Sequence, residues 1–192
     1  WLDRKQRAAL LRAVDKEVED AVRRYPRLRL IYLRDAAIVK LILFAGLRVG
    51  EIIQLRTSDV ILDERKGSMV VREGKGTKRR KIPLNAKARK ALLEYLRMRP
   101  DVEMDNLFLG QRNEGVQSKT IQRAVQRFAK KAGLKNVAPH TLRHSFAKAL
   151  IDAGVSLEKV ATLLGHSNLN TTRIYTTPGE EDLEDAVGKI ED

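Results

Sequence analysis

A helical apolar period runs through most of this 192-residue chain and gives way to a β-prone pattern between residues 60 and 84. That break limits the fold more than any other feature. On its helical side, Leu10, Leu11, Val14, Val18, Ala21 and Val22 mark a helix over residues 1–24, which Tyr25-Pro26 stops. A more apolar helix follows over 30–45 and ends at Gly46, and 48–55 continues as a short helical segment. Residues 60–62, 69–72 and 81–84 are β-prone runs punctuated by Gly67 and Gly74-Lys75-Gly76, predicting three short antiparallel strands. Helical spacing resumes over 86–98, 117–132, 139–153 and 156–164, with a last helical stretch over 171–175. The expected fold class is mainly α with a small three-stranded antiparallel β-sheet (α+β), in a chain long enough to fill a core.

The absence of cysteine removes disulfide scaffolds, thiolate zinc sites and cysteine catalysis. The longest uncharged apolar run, residues 41–47, is bracketed by Lys40 and Arg48 and is far too short to span a bilayer. With no signal-peptide pattern either, a soluble cytoplasmic protein is expected, with no membrane partner. Charge then points to the partner. Lys and Arg number 38 against 25 Asp and Glu, for a net charge of +13. Residues 179–192 carry −6 of that total, which leaves +19 on residues 1–178. A field of that sign and size holds a polyanion in a salt-dependent way, so double-stranded DNA and a place in the nucleoid are expected.

Helix 117–132 divides its faces. Ile121, Ala124, Val125, Phe128 and Ala132 form an apolar stripe, and Lys119, Arg123, Arg127 and Lys130 fall on another side. The basic side suits phosphates or a major groove; a solvated face is the plain alternative. The three histidines, His140, His144 and His166, lie within 27 residues of one another. His140 and Arg143 share a helix face at i, i+3, His144 points elsewhere and is read as structural, and the turn after Leu164-Gly165 is expected to expose His166. The chain has no His-Glu-x-x-His, no compact carboxylate cluster and no P-loop, so neither metal nor nucleotide cofactor is expected. A phosphodiester enzyme working without metal must meet transition-state charge with side chains. Arginine does this best, because its guanidinium donates two parallel hydrogen bonds to phosphate oxygens.

Four segments then fall into a known order. Ala45-Gly46-Leu47-Arg48-Val49-Gly50-Glu51 resembles the first arginine box of tyrosine recombinases, and Gly74-Lys75-Gly76-Thr77-Lys78 resembles their β-hairpin lysine. His140-Thr141-Leu142-Arg143-His144 resembles their His-x-x-Arg box. Leu163-Leu164-Gly165-His166-Ser167 with Thr171-Thr172 and Tyr175 resembles the closing histidine and nucleophile segment. The likeness is greatest to the phage-integrase and Xer-type branch. It implies a site-specific DNA recombinase in which Tyr175 attacks the scissile phosphate to give a 3′-phosphotyrosyl link. It further implies that Arg48 and Arg143 clamp the non-bridging oxygens and that Lys75 protonates the leaving 5′-oxygen, with Lys78 as the alternate. By the same resemblance His140 moves a proton at the tyrosine, His166 bonds the phosphate and Glu51 supports the site. Lys78, Arg79 and Arg80 of the hairpin are expected to contact DNA beside Lys119, Arg123, Arg127 and Lys130.

On the same likeness, residues 1–178 read as the catalytic domain, without the N-terminal core-binding domain that closes the family's clamp. Leu183, Ala186, Val187 and Ile190 stripe the acidic segment 179–192 at helical spacing. Its alternatives are packing on a neighbouring protomer, which would build a homotetramer on paired sites, or folding back on its own domain. Two rival functions stay open from sequence: a type IB topoisomerase-like enzyme, and a non-catalytic basic helical DNA-binding regulator.

Overall fold

The computed structural model describes residues 1–63, 65–73, 78–166 and 170–173. It divides into two compact units, Trp1–Phe146 and Ala147–Asp192.

In the first unit, α1 (Arg4–Arg24) starts where Asp3 and Gln6 cap each other reciprocally, and its last turn carries Arg23 and Arg24 against the negative end of the helix dipole. Trp1 and Leu2 precede the helix. The Leu2 amide donates to Ser145 Oγ at 2.7 Å, which tucks the Leu2 side chain inside. Tyr25 ends α1, and a single 3₁₀ turn over Pro26–Leu28 leads into α2 (Arg29–Ala45). Every residue from Leu33 to Val39 is buried, so α2 is a central helix rather than an amphipathic one, and it packs against α1, α4 (Ala86–Leu96) and α5 (Ser118–Lys131). Gly46 closes α2 at φ 65°, a left-handed conformation that glycine adopts without strain, and α3 (Val49–Gln54) follows at once.

The sheet is the meander expected, β1 (Val60–Leu62), β2 (Gly67–Glu73) and β3 (Lys78–Pro83), antiparallel in sequence order. β3 begins three residues earlier than its apolar content predicts. The basic run Lys78-Arg79-Arg80-Lys81 is itself strand, in ladder from Glu73↔Lys78 to Ser68↔Pro83. Strand parity explains how it is tolerated: Arg79 and Lys81 are exposed, while Arg80 and Ile82 lie on the buried face opposite Val71 and Met69.

Residues 99–117 carry no helix or named strand; two isolated antiparallel bridges, Arg56↔Asn106 and Leu109↔Gly115, hold them together with side chains. The Arg99 guanidinium donates to the carbonyls of Pro100, Met104, Leu107 and Asn106. Tyr95, fully buried, packs on Phe108 at 5.3 Å between ring centroids and accepts the Leu109 amide at 3.1 Å. Tyr95→Phe leaves that amide without its acceptor in a dry site and should cost about 1–2 kcal/mol in urea denaturation. An unchanged midpoint would mean that the hydroxyl does not hold this loop.

The helix α6 (Pro139–Asp152) contains the division between the units. In the second unit, α7 (Leu157–Leu164) ends at Gly165 (φ 65°) and contacts the short α8 (Asn170–Arg173). No helix among the described residues is long and apolar enough to cross a membrane.

Candidate active site

In the first unit, one carboxylate gathers three arginines. Glu51 lies in the first turn of α3, where the Arg48 amide donates to its Oε2 at 2.8 Å and the Arg48 guanidinium to its Oε1 at 2.9 Å. From β3, Arg80 Nη2 donates to Oε2 at 2.9 Å. From α6, Arg143 Nη1 approaches Oε2 at 3.8 Å and also donates to the carbonyl of Gly46. The abrupt end of α2 is what makes this possible, because the left-handed Gly46 both frees its carbonyl for Arg143 and turns the chain so that Arg48 caps α3.

The members differ in depth. The Glu51, Arg80 and Arg143 side chains are 8%, 8% and 11% exposed, against 43% for Arg48. Burial pushes the Glu51 pKa up, but the Arg80 hydrogen bond, the Arg48 amide and the charges of Arg80 and Arg143 together hold it below its ordinary 4.5. An ionised carboxylate facing three guanidiniums leaves the cluster positive, with Arg48 open to solvent. The arrangement offers forked, fixed donors to a tetrahedral anion.

His140 is exposed on the first turn of α6, with its ring 6.0 Å edge-on from His144. Burial first, and then His140, lower the pKa of His144 from its ordinary 6.5. His166, in the second unit, is half-buried rather than exposed: its Nδ1 lies 2.9 Å from Oγ1 of the fully buried Thr172. Lys75 and Tyr175 lie outside the described residues, as do the Lys78 side chain and the acidic segment 179–192.

Among the proposed DNA contacts, Arg79, Lys119, Arg123 and Lys130 are exposed. Arg80 instead belongs to the carboxylate cluster, as its inward parity with Ile82 on β3 would have signalled. Arg127 turns from its basic face toward α2: its Nη2 lies 3.0 Å from Asp35, and its guanidinium sits 4.4 Å over the Tyr32 ring. Asp35 is buried and also holds Arg34, which donates to the Leu109 carbonyl at 2.9 Å. No group of three His, Cys, Asp or Glu able to hold a metal occurs among the described residues.

In this mainly helical unit the small sheet and the helix ends bring three arginines around one buried carboxylate. The chain belongs to the phage integrase family, whose model matches residues 1–181. It is 39% identical over 160 residues to tyrosine recombinase XerC of Corynebacterium glutamicum, covering 82% of this chain and 51% of that protein. Over 160 residues it is 40% identical to tyrosine recombinase XerA of Pyrococcus horikoshii, covering 82% of this chain and 55% of that one. The crystal structure of XerA recombinase superposes with a TM-score of 0.78 at 30% identity, covering all of this chain and 65% of that one. The XerH site-specific recombinase, bound to a palindromic difH substrate in a post-cleavage complex, superposes at 0.80 and 31% identity, covering all of this chain and 53% of that one. The chain thus spans about half the length of the curated relatives it matches.

Proposed function

We propose that this chain is the catalytic domain of a site-specific recombinase that cuts and rejoins duplex DNA through a 3′-phosphotyrosyl intermediate. The observation that carries the reading is the Glu51-centred cluster, in which Arg48 and Arg143, the arginines of the two family boxes, share one buried carboxylate. Identity of about 40% to Xer recombinases supports the same reading.

Tyr175 Oη attacks the scissile phosphorus, and its proton passes toward His140. The bond from phosphorus to the 5′-oxygen breaks, and that oxygen leaves with a proton from Lys75 or, as the alternate, Lys78. A phenol of pKa about 10 is a weak nucleophile at neutral pH, so cationic neighbours are needed to favour its ionised form. Arg48 and Arg143 neutralise the charge that builds on the non-bridging oxygens, with His166 donating to the same phosphate. Because the phosphotyrosyl link conserves the phosphodiester energy, religation by the free 5′-hydroxyl runs the same steps backwards without ATP. Exposed Arg79, Lys119, Arg123 and Lys130 hold the duplex, and the acidic segment 179–192 joins protomers into a tetramer on paired sites in the nucleoid.

The test is covalent trapping on nicked duplexes drawn from a genomic fragment pool. The chain should form a protein–DNA adduct that survives denaturation in EDTA, and Tyr175→Phe should form none. An adduct of equal yield in Tyr175→Phe would refute the nucleophile, and DNA binding with no adduct would refute the reaction.

A further inference from the structure

Arg80 stands apart from the hairpin's other basic residues. Arg79 and Lys81, its neighbours on β3, face solvent, whereas Arg80 faces inward beside Ile82, across the ladder from Val71. Its guanidinium meets Glu51 Oε2, the oxygen that also accepts the Arg48 amide and lies nearest Arg143. The other carboxylate oxygen, Oε1, accepts from the Arg48 side chain.

A carboxylate this deeply buried needs a compensating charge of equal depth. Arg48 is too exposed to supply it alone, and Arg143 is at 3.8 Å and shared with the Gly46 carbonyl. We propose that Arg80 is a positioning residue for strand cleavage: by neutralising and orienting Glu51 through Oε2, it fixes the carboxylate that sets Arg48 and Arg143 toward the phosphate. This rests on the reaction assigned above. Arg80 does not touch DNA; it acts through Glu51, and in doing so it ties the strand leaving the β-hairpin to the arginine pair.

Two measurements on the full chain test this. In single-turnover trapping on nicked duplex, Arg80→Met should slow adduct formation about 100-fold, the scale on which misplaced groups lose rate, with the DNA dissociation constant changed less than about twofold. Adding Glu51→Gln should cause no further loss, because the two side chains act as one unit. Arg79→Met, by contrast, should weaken DNA binding and lower its salt dependence. Losses that add in the double variant, or a binding defect like that of Arg79→Met, would overturn the proposal.

The second measurement needs no activity. The Arg48 side-chain ¹⁵Nε–¹Hε resonance should be shifted and narrow in the wild-type chain and should collapse toward the position of free arginine in Arg80→Met. An unchanged resonance would overturn the proposal. If Arg80→Met does not fold, Arg80→Lys carries both measurements, since an ammonium keeps the charge but cannot reproduce the planar fork. A wild-type chain that forms no adduct refutes the assigned reaction, and the resonance then decides the role of Arg80 alone.

Discussion

Replacing Arg143 by alanine is expected to lower adduct formation on nicked duplex by about 10³-fold, while the chain still binds DNA. The side chain is buried, donates to the Gly46 carbonyl and lies 3.8 Å from Glu51, so its guanidinium is held before substrate arrives. A donor fixed in advance stabilises developing charge without reorganising during the reaction, which makes its loss expensive in rate. Arg143→Lys should recover little of that loss, because an ammonium cannot reproduce the forked geometry. Single-turnover trapping, run beside fluorescence anisotropy for DNA affinity, reads both quantities. A rate loss below tenfold would remove Arg143 from the phosphate clamp.

Truncating Glu51 to alanine should destabilise the fold by roughly 3 kcal/mol near neutral pH, because it strips the buried Arg80 of its counter-charge and Arg48 and Arg143 of their shared acceptor. The pH dependence has a definite sign. Burial works against the charged carboxylate, but Arg80, the Arg48 amide and Arg143 prevail and keep its folded pKa under the ordinary 4.5. A depressed carboxylate contributes its full stability above the unfolded value and loses it as pH falls through the folded one. The difference in urea midpoint between the wild-type chain and Glu51→Gln should therefore be widest near pH 7 and shrink below about 4.5. A difference that stays constant into acid would mean that packing, not charge, is what Glu51 supplies.

Much of this molecule is legible in one dimension. The break in helical period located the sheet, Gly46 marked the end of α2, and Tyr25-Pro26 marked the end of α1, because these features act through local backbone sterics. The pairing of Arg48 with Glu51 was legible too, since i, i+3 on a helix start is a local distance. Two expectations shifted for the same physical reason. Lys78, Arg79 and Arg80 of the hairpin read as DNA contacts, as did Lys119, Arg123, Arg127 and Lys130 on the basic side of helix 117–132. Yet Arg80 and Arg127 each turn to a buried carboxylate, Glu51 and Asp35, that lies 29 and 92 residues away in sequence.

What the sequence determined by itself was therefore the set of elements, the positive charge of residues 1–178 and the family's boxes. Each depends on residue type and short-range spacing alone. The tertiary structure decided which cations of a basic run face solvent and which turn inward to the protein's own carboxylates. A guanidinium side chain has the same charge and the same local propensity in either setting. Only the long-range approach of β3 and α6 to the start of α3 brings a buried anion within hydrogen-bonding distance of one and leaves another exposed. Desolvation and ion pairing over that distance separate the surroundings of Arg79 and Arg80, which are adjacent and chemically identical in the chain.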